Sequence, residues 1–537
     1  MKKTKRIISL VLCLTLGLAL LAGCGAKITQ SSPTNTPSAS GPPASPPPVV
    51  AAPSTPPPDV EFVDHLTMIS ETIAVIDPFN PAFTSAWTGV VSHMMYDALF
   101  YYTLDNTYEP ALAKSYETDD AKTWKFYLRD DVYFHNGEKF TAADVVWTME
   151  TAKNSPGTLI YDIAKQIESF NVINDYELEI ILSEVNIDFI FNISQPTASI
   201  VNQKAYEDDP EKGPWVGTGP WVVTGFLSTQ EIDFTRNDNY WGELPKTKTF
   251  KWIYVAEQTS AMIMLENGDV QLGGMTNANV PVYENDPRLQ LKSYVMNNCN
   301  YLAFNQMKPL MADKNFRLAC AHALNRQEIV DVALDGYGAA VDHGSFWGYR
   351  TEFKADDIPI IPYDLDKAKE YLELSSYNGE TVEIVAAMVH TIATAQVVQQ
   401  QLALIGINCE VFNTDPPTLS SYTAWGNKDA DIIVNSGAWS GVASSVRTYF
   451  LPGSNANKAN YDNPVMTELL NRASTLVDAT EREKVYREIQ ELYAEDIPYL
   501  ATMHMGIYRA ELAGVGGVQY FPNNNWNFAY AYMEKDL

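Results

Sequence analysis

The sequence predicts a mixed α/β body, and three observations carry that prediction. From residue 59 to 537 the chain runs for 479 residues without a low-complexity stretch or an obvious repeat. A 46% apolar share with 62 aromatic residues excludes a disordered chain. Beyond residue 300, β-rich runs alternate with helical periodicity: a strand over 381–388, a helix over 391–404, and strands over 407–412 and 431–434. That order predicts a parallel sheet covered by helices. A length of 537 residues allows two to four domains.

The N-terminus comes first. Lys2, Lys3, Lys5 and Arg6 precede a 16-residue apolar run over 7–22. A bilayer span takes about 20 apolar residues, so a basic start and a short run ending in small residues predict a secretory signal over 1–23. The run ends in Leu21-Ala22-Gly23-Cys24, which resembles the lipobox of bacterial lipoproteins. That resemblance implies cleavage before Cys24 and a diacylglycerol on its sulfur. Residues 27–58 hold 11 of the 31 prolines and no acid, so this segment stays extended. At about 3.1 Å per residue it reaches roughly 100 Å, a spacer between lipid and body over 24–58.

In the body, Trp124-Lys-Phe-Tyr-Leu-Arg alternates as a strand does, and Asn136-Gly137 predicts a hairpin-type turn. Thr141-Ala-Ala-Asp144 reads as a capping box ahead of Val145, Val146 and Met149 at helical spacing. Near the end, Thr480-Glu-Arg-Glu483 reads as the cap of a helix whose apolar face is Val485, Ile489, Leu492 and Tyr493. Cys299, Cys320 and Cys409 each sit in an apolar segment and read as small buried thiols, with a Cys299–Cys320 bridge left open.

Charge and motifs exclude several function classes. The mature chain carries 33 Lys and Arg against 66 acids, which argues against nucleic acid. A single apolar stretch near membrane length excludes an integral channel. There is no Gly-x-x-x-x-Gly-Lys-Ser/Thr loop, and Gly437-Ala-Trp-Ser-Gly441 places its serine one position late for a nucleophile elbow. The seven histidines (65, 93, 135, 322, 343, 390 and 504) have no metal-ligand spacing. Pairs such as Asp119-Asp120 and Asp208-Asp209 sit in polar turns. No catalytic residue, metal or cofactor is expected.

Several segments together resemble the family 5 extracellular solute-binding proteins of ABC importers, which include oligopeptide-, dipeptide- and nickel-binding proteins. Pro110-Ala-Leu-Ala-Lys-Ser-Tyr is similar to the family's Pro-x-Leu-Ala-Glu-Ser-Trp. The run Phe126-Tyr-Leu-Arg-Asp-Asp-Val-Tyr-Phe-His-Asn-Gly-Glu-Lys-Phe-Thr-Ala-Ala-Asp-Val-Val follows its signature almost throughout. Gly217-Thr-Gly-Pro220, Arg236-Asn-Asp-Asn-Tyr-Trp-Gly242, Leu265-Glu-Asn-Gly-Asp-Val270, Tyr301-Leu-Ala-Phe-Asn305, Phe316-Arg317 and Leu324-Asn-Arg326 match further pieces in family order.

The resemblance implies a two-lobed, periplasmic-binding-protein-like clamshell with an inserted third domain. Lobe I would comprise 59–95, 214–303 and 499–537, the inserted domain 96–213, and lobe II 304–498. A monomer would capture a small solute between the lobes, outside the cell membrane, and deliver it to an importer permease. In peptide-binding members, an aspartate three residues after a strand-end tryptophan holds the peptide ammonium. Here the stretch is Asn435-Ser-Gly-Ala-Trp439-Ser-Gly-Val-Ala443, so that position is Val442, and no acid occurs between Asp431 and Asp462. The family position makes Gly437, Ala438 and Trp439 candidate ligand contacts; packing in the core is the alternative for Trp439. Arg447 carries a planar fork suited to a solute carboxylate, or stands as a surface arginine. A peptide is the first reading of the solute, with an oligosaccharide or a metal complex as alternatives. A non-transport sensor and an extracellular enzyme on the same fold are the rival functions.

Overall fold

A computed structural model describes residues 60–535, apart from 71–74, 84–85, 105–106, 229, 349 and 522–525. The signal segment, Cys24 and the proline-rich spacer lie outside the described residues. Among those described, no helix is long and apolar enough to cross a membrane.

The predicted strand–helix alternation is present. The strand Val382–Ala386 leads into the helix Val389–Ala403 and then into the strand Cys409–Asn413. Val382–Ala386 pairs in parallel with both Cys409–Asn413 and Ile432–Ala438. Helices cover both faces of this sheet, so successive side chains of one strand enter opposite cores. In Asn298–Phe304, Tyr301 and Ala303 join one buried cluster, while Leu302 and Phe304 join the other. Every residue of that strand is buried.

A second body carries the strands Trp221–Leu227, Glu231–Arg236 and Thr249–Tyr254 in antiparallel order, with His65–Ser70 parallel to the last. One 14-residue strand, Tyr499–Leu512, joins the two bodies into a continuous ladder. Its first residues pair with Asn298–Phe304, and its last seven pair with Leu289–Val295. The chain therefore passes between the bodies twice, at residues 296–297 and at 505–506. These two crossings touch, because the Met296 N–H donates to the Met505 carbonyl at 2.9 Å. At the second crossing, a Cβ on Gly506 would lie 2.7 Å from the Tyr337 carbonyl oxygen.

A third body is a four-stranded antiparallel sheet, Ala113–Glu117, Thr123–Leu128, Glu177–Leu182 and Ile167–Asn174 in spatial order, with the last two exchanged relative to the chain. Thr123–Leu128 buries Trp124, Phe126 and Leu128 in strict alternation. Gly137 adopts φ +83° in the expected tight turn, and Asp144 accepts from the Thr141 N–H at 2.9 Å at the start of the helix Ala142–Lys153.

Most resemblance motifs are structural. Gly217 and Gly219 press against the Met95 backbone, where any Cβ would collide. His135 of the long signature docks there, its ring bonded to the Gly217 N–H (3.2 Å) and the Gly219 carbonyl (3.0 Å). Thr218, Tyr240 and Trp241 converge on the buried Asp97.

Two local expectations are corrected. The cap of the helix Ala479–Asp496 is Asp478, which accepts from the Glu481 N–H at 2.9 Å, rather than Thr480. A short carboxylate in extended backbone reaches the free amides one turn ahead, and Thr480 is already helical. The three cysteines are free thiols; Cys299 and Cys320 are buried, whereas Cys409 is only half-buried because its strand ends the sheet.

Candidate ligand-binding site

The strand Ile432–Ala438 delivers the Gly437–Trp439 segment to the crossing region, where the Trp439 N–H donates to the Asn297 carbonyl at 3.0 Å. The Trp439 side chain turns inward. It is 1% exposed, stacks on Tyr449 at 5.1 Å and meets the edge of Phe346 at 4.9 Å. Gly437 has to lack a side chain, since a Cβ would lie 2.7 Å from the Trp439 ring and 2.8 Å from the Tyr449 hydroxyl. Ala438 pairs in register with Asn298. Arg447 donates to the Leu470 carbonyl (2.8 Å) and to Asn471 (2.7 Å) on the helix Pro464–Thr475. Its fork is committed to that helix.

The loop after Trp439 does reach a cavity. A space of about 300 Å³ opens between the third body and the body carrying residues 298–504, and Gly441 and Val442 form part of its wall. Aromatic rings line the opposite side, among them Tyr102, Tyr108, Tyr116 and Trp124. Tyr116 and Trp124 pack together at 5.5 Å.

Three charged side chains also face this space: Asp188, Glu352 and Arg482. Glu352 is strapped to the 441–443 loop. Its N–H donates to the Gly441 carbonyl at 2.8 Å, and its carboxylate receives the Ala443 N–H at 3.5 Å. Arg482 gives one guanidinium nitrogen to the Leu476 and Val477 carbonyls (3.1 and 3.2 Å) and lies 3.7 Å from Glu352 through another. Asp188 precedes the helix Phe189–Ile193 and faces Ser444 across the gap. Burial pushes both carboxyls up; Arg482 opposes this at each, and Asp188 adds to it at Glu352. The same two acids, after burial, push up the Tyr108 hydroxyl.

Sequence reasoning reached this cavity only through the 441–442 loop. Asp188, Glu352 and Arg482 lie more than a hundred residues apart, so no spacing signal links them. Arg482 stood out only within a capping pattern. Among the described residues, no group of three His, Cys, Asp or Glu side chains is placed to hold a metal ion.

The family-wide sequence model of the bacterial extracellular solute-binding proteins, family 5 Middle, matches residues 107–460. The chain belongs to that family. Among curated relatives, this family 5 protein is 27% identical over 478 residues to heme-binding protein A of Haemophilus influenzae, covering 79% of this chain and 85% of the relative. It is 25% identical to the glutathione-binding protein GsiB of Pectobacterium atrosepticum, over 87% of this chain and 93% of the relative. The nickel-binding periplasmic protein of Escherichia coli is 24% identical, over 83% and 90%. Among solved structures, the ABC transporter substrate-binding protein CtaP of Listeria monocytogenes superposes with a TM-score of 0.80 at 23% identity, covering 88% of this chain and 100% of that one. DppA of Helicobacter pylori in complex with the peptide STSA gives 0.70 at 23% identity, over 88% and 99%. The fold is the α/β clamshell of these proteins, and the family places the protein outside the cytoplasm.

Proposed function

We propose that this protein is a lipid-anchored receptor that captures a peptide and delivers it to an ABC importer permease. The observation that carries this reading is the cavity of about 300 Å³, walled by aromatic rings on one body and by the 441–443 loop on another. Cavities of this size, with few polar groups among apolar walls, bury small ligands. Micromolar capture needs about −8 kcal/mol, within reach of such an enclosure. Similarity to H. pylori DppA, which holds the peptide STSA, and to the glutathione-binding GsiB supports a peptide over a sugar. The protein acts by binding, as a monomer, without catalysis.

Lobe I comprises 59–95, 214–297 and 505–537, the inserted domain 96–213, and lobe II 298–504, so each exchange lies a few residues from the bounds 303 and 499 that the resemblance implies. The change of partner strands near 296–297 and 505–506 supports boundaries within a strand length of those positions. Gly437, Ala438 and Trp439 act behind the ligand surface, holding the 441–443 loop; Arg447 reaches a solute carboxylate only by leaving Leu470 and Asn471.

Native mass spectrometry on protein purified without denaturation, then challenged with peptide and oligosaccharide panels, tests the reading. Short peptide masses are expected; retention of sugars alone overturns it. The lipid anchor has its own test: Cys24→Ala should leave an unprocessed precursor lacking lipid, and normal processing of that variant refutes the anchor.

A further inference from the structure

The cavity has an imbalance of charge. Two carboxylates, Asp188 and Glu352, share it with one guanidinium, Arg482. Arg482 is largely spoken for by the Leu476 and Val477 carbonyls, and its 3.7 Å separation from Glu352 exceeds a direct hydrogen bond. Ser444, which faces Asp188 across the gap, brings only a neutral hydroxyl. With both acids ionised, the space holds one uncompensated negative charge, which is costly away from water. The tyrosine walls suit a positive occupant as well, because ring faces attract cations. One wall residue, Trp124, is 2% exposed and its indole N–H meets no acceptor among the described residues. The 441–443 loop supplies no charge of its own, yet it fixes Glu352 by both its backbone and its carboxylate.

We propose that Glu352 and Asp188 form the anchoring site for an ammonium group of the solute, with the 441–443 loop holding Glu352 in place. This rests on the reading that solute occupies this cavity. It narrows the substrate class to solutes with a free primary amine, a peptide with an unblocked N-terminus first among them. Negative charge thus comes from the 352 segment and from the inserted domain, in place of the loop position occupied by Val442. Because the two acids belong to different bodies, the ammonium also ties those bodies together.

The test uses two matched pairs of probes on the full-length protein, titrated by native mass spectrometry. One pair is a tripeptide library with free or with acetylated amino termini; the other is phenethylamine and phenethyl alcohol. Expected is at least a tenfold preference for the free-amine library. Glu352→Gln and Asp188→Asn should each weaken it about tenfold and leave the acetylated library within about twofold. The wild-type comparison stands even if a variant misfolds. Equal binding of both libraries overturns the ammonium site and leaves the peptide receptor intact. No peptide binding, with phenethylamine preferred over the alcohol and lost in both variants, upholds the ammonium site and overturns the peptide reading. Binding of neither pair overturns both.

Discussion

Asp97 is 2% exposed and accepts from four side chains. The Thr218 hydroxyl (2.8 Å) and Trp241 indole N–H (2.9 Å) meet one oxygen, and the Tyr240 hydroxyl (3.1 Å) and the Tyr101 hydroxyl meet the other. Arg129 of the long signature lies 4.4 Å above the Trp241 ring. This one carboxylate therefore fastens two separate motifs, the second of which carries Arg129 of a third, and it explains why residues of a family pattern need not touch solute. An Asp97→Leu substitution strands four donors, two of them on the buried Thr218 and Tyr240, at about 1–3 kcal/mol for each buried one. Denaturant midpoints should report a loss of at least about 3 kcal/mol, with a smaller loss for Asp97→Asn, and an unchanged midpoint in Asp97→Leu would refute the role. The motifs were legible in the sequence, but their common partner was not, because Asp97 lies in no pattern of its own. Trp439 gives the same lesson in reverse. Its position in the chain marked a ligand contact, whereas its surroundings, Phe346 and Tyr449, place the ring in the core.

Among elements, the strand Tyr499–Leu512 has the largest consequence. It was not anticipated as one continuous unit, since its first six residues are all buried and leave none of the alternation that marks a strand. Near its end, Glu511 is buried and bonded to the Tyr520 hydroxyl at 2.5 Å and the Gln290 amide at 3.1 Å. Burial pushes its carboxyl from the ordinary 4.5 up to about 7, with Tyr520 opposing. The folded protein thus keeps a proton that the unfolded chain has released between those two values. The resulting stabilisation is full below pH about 4.5 and is lost as pH rises through about 7. At about 1.4 kcal/mol per pH unit the swing is on the order of 3 kcal/mol. Glu511→Gln should flatten that slope; denaturation midpoints at pH 5 and pH 8 that fall equally in both proteins would refute the assignment. The helices, by contrast, were largely legible. Val389–Ala403 falls close to its predicted bounds, because period and capping are local properties.

At the scale of the whole molecule, the two crossings at 296–297 and 505–506 are where the bodies can turn against each other. Small-angle scattering should show a smaller radius of gyration when solute is bound. Gly506→Ala would force a Cβ to within 2.7 Å of the Tyr337 carbonyl oxygen, so the strand or its neighbour has to shift. Overpacking of this kind costs about 1–3 kcal/mol. Stability should fall by that much, and the solute-induced compaction should shrink. A variant that compacts and binds like the wild type would place the turning point elsewhere.

The sequence by itself determined the α/β class, the parallel order beyond residue 300, the signature turn and cap, and membership of the solute-binding family. All of these rest on local periodicity, on turn chemistry or on motifs continuous in the chain. Only the tertiary structure decided that Trp439 packs inward, that Arg447 is held by a helix, and that Asp188, Glu352 and Arg482 face one cavity. Charges more than a hundred residues apart leave no mark on any window of sequence. Their meeting depends on how the inserted sheet docks against the 441–443 loop, and that docking is set by the packing of whole bodies.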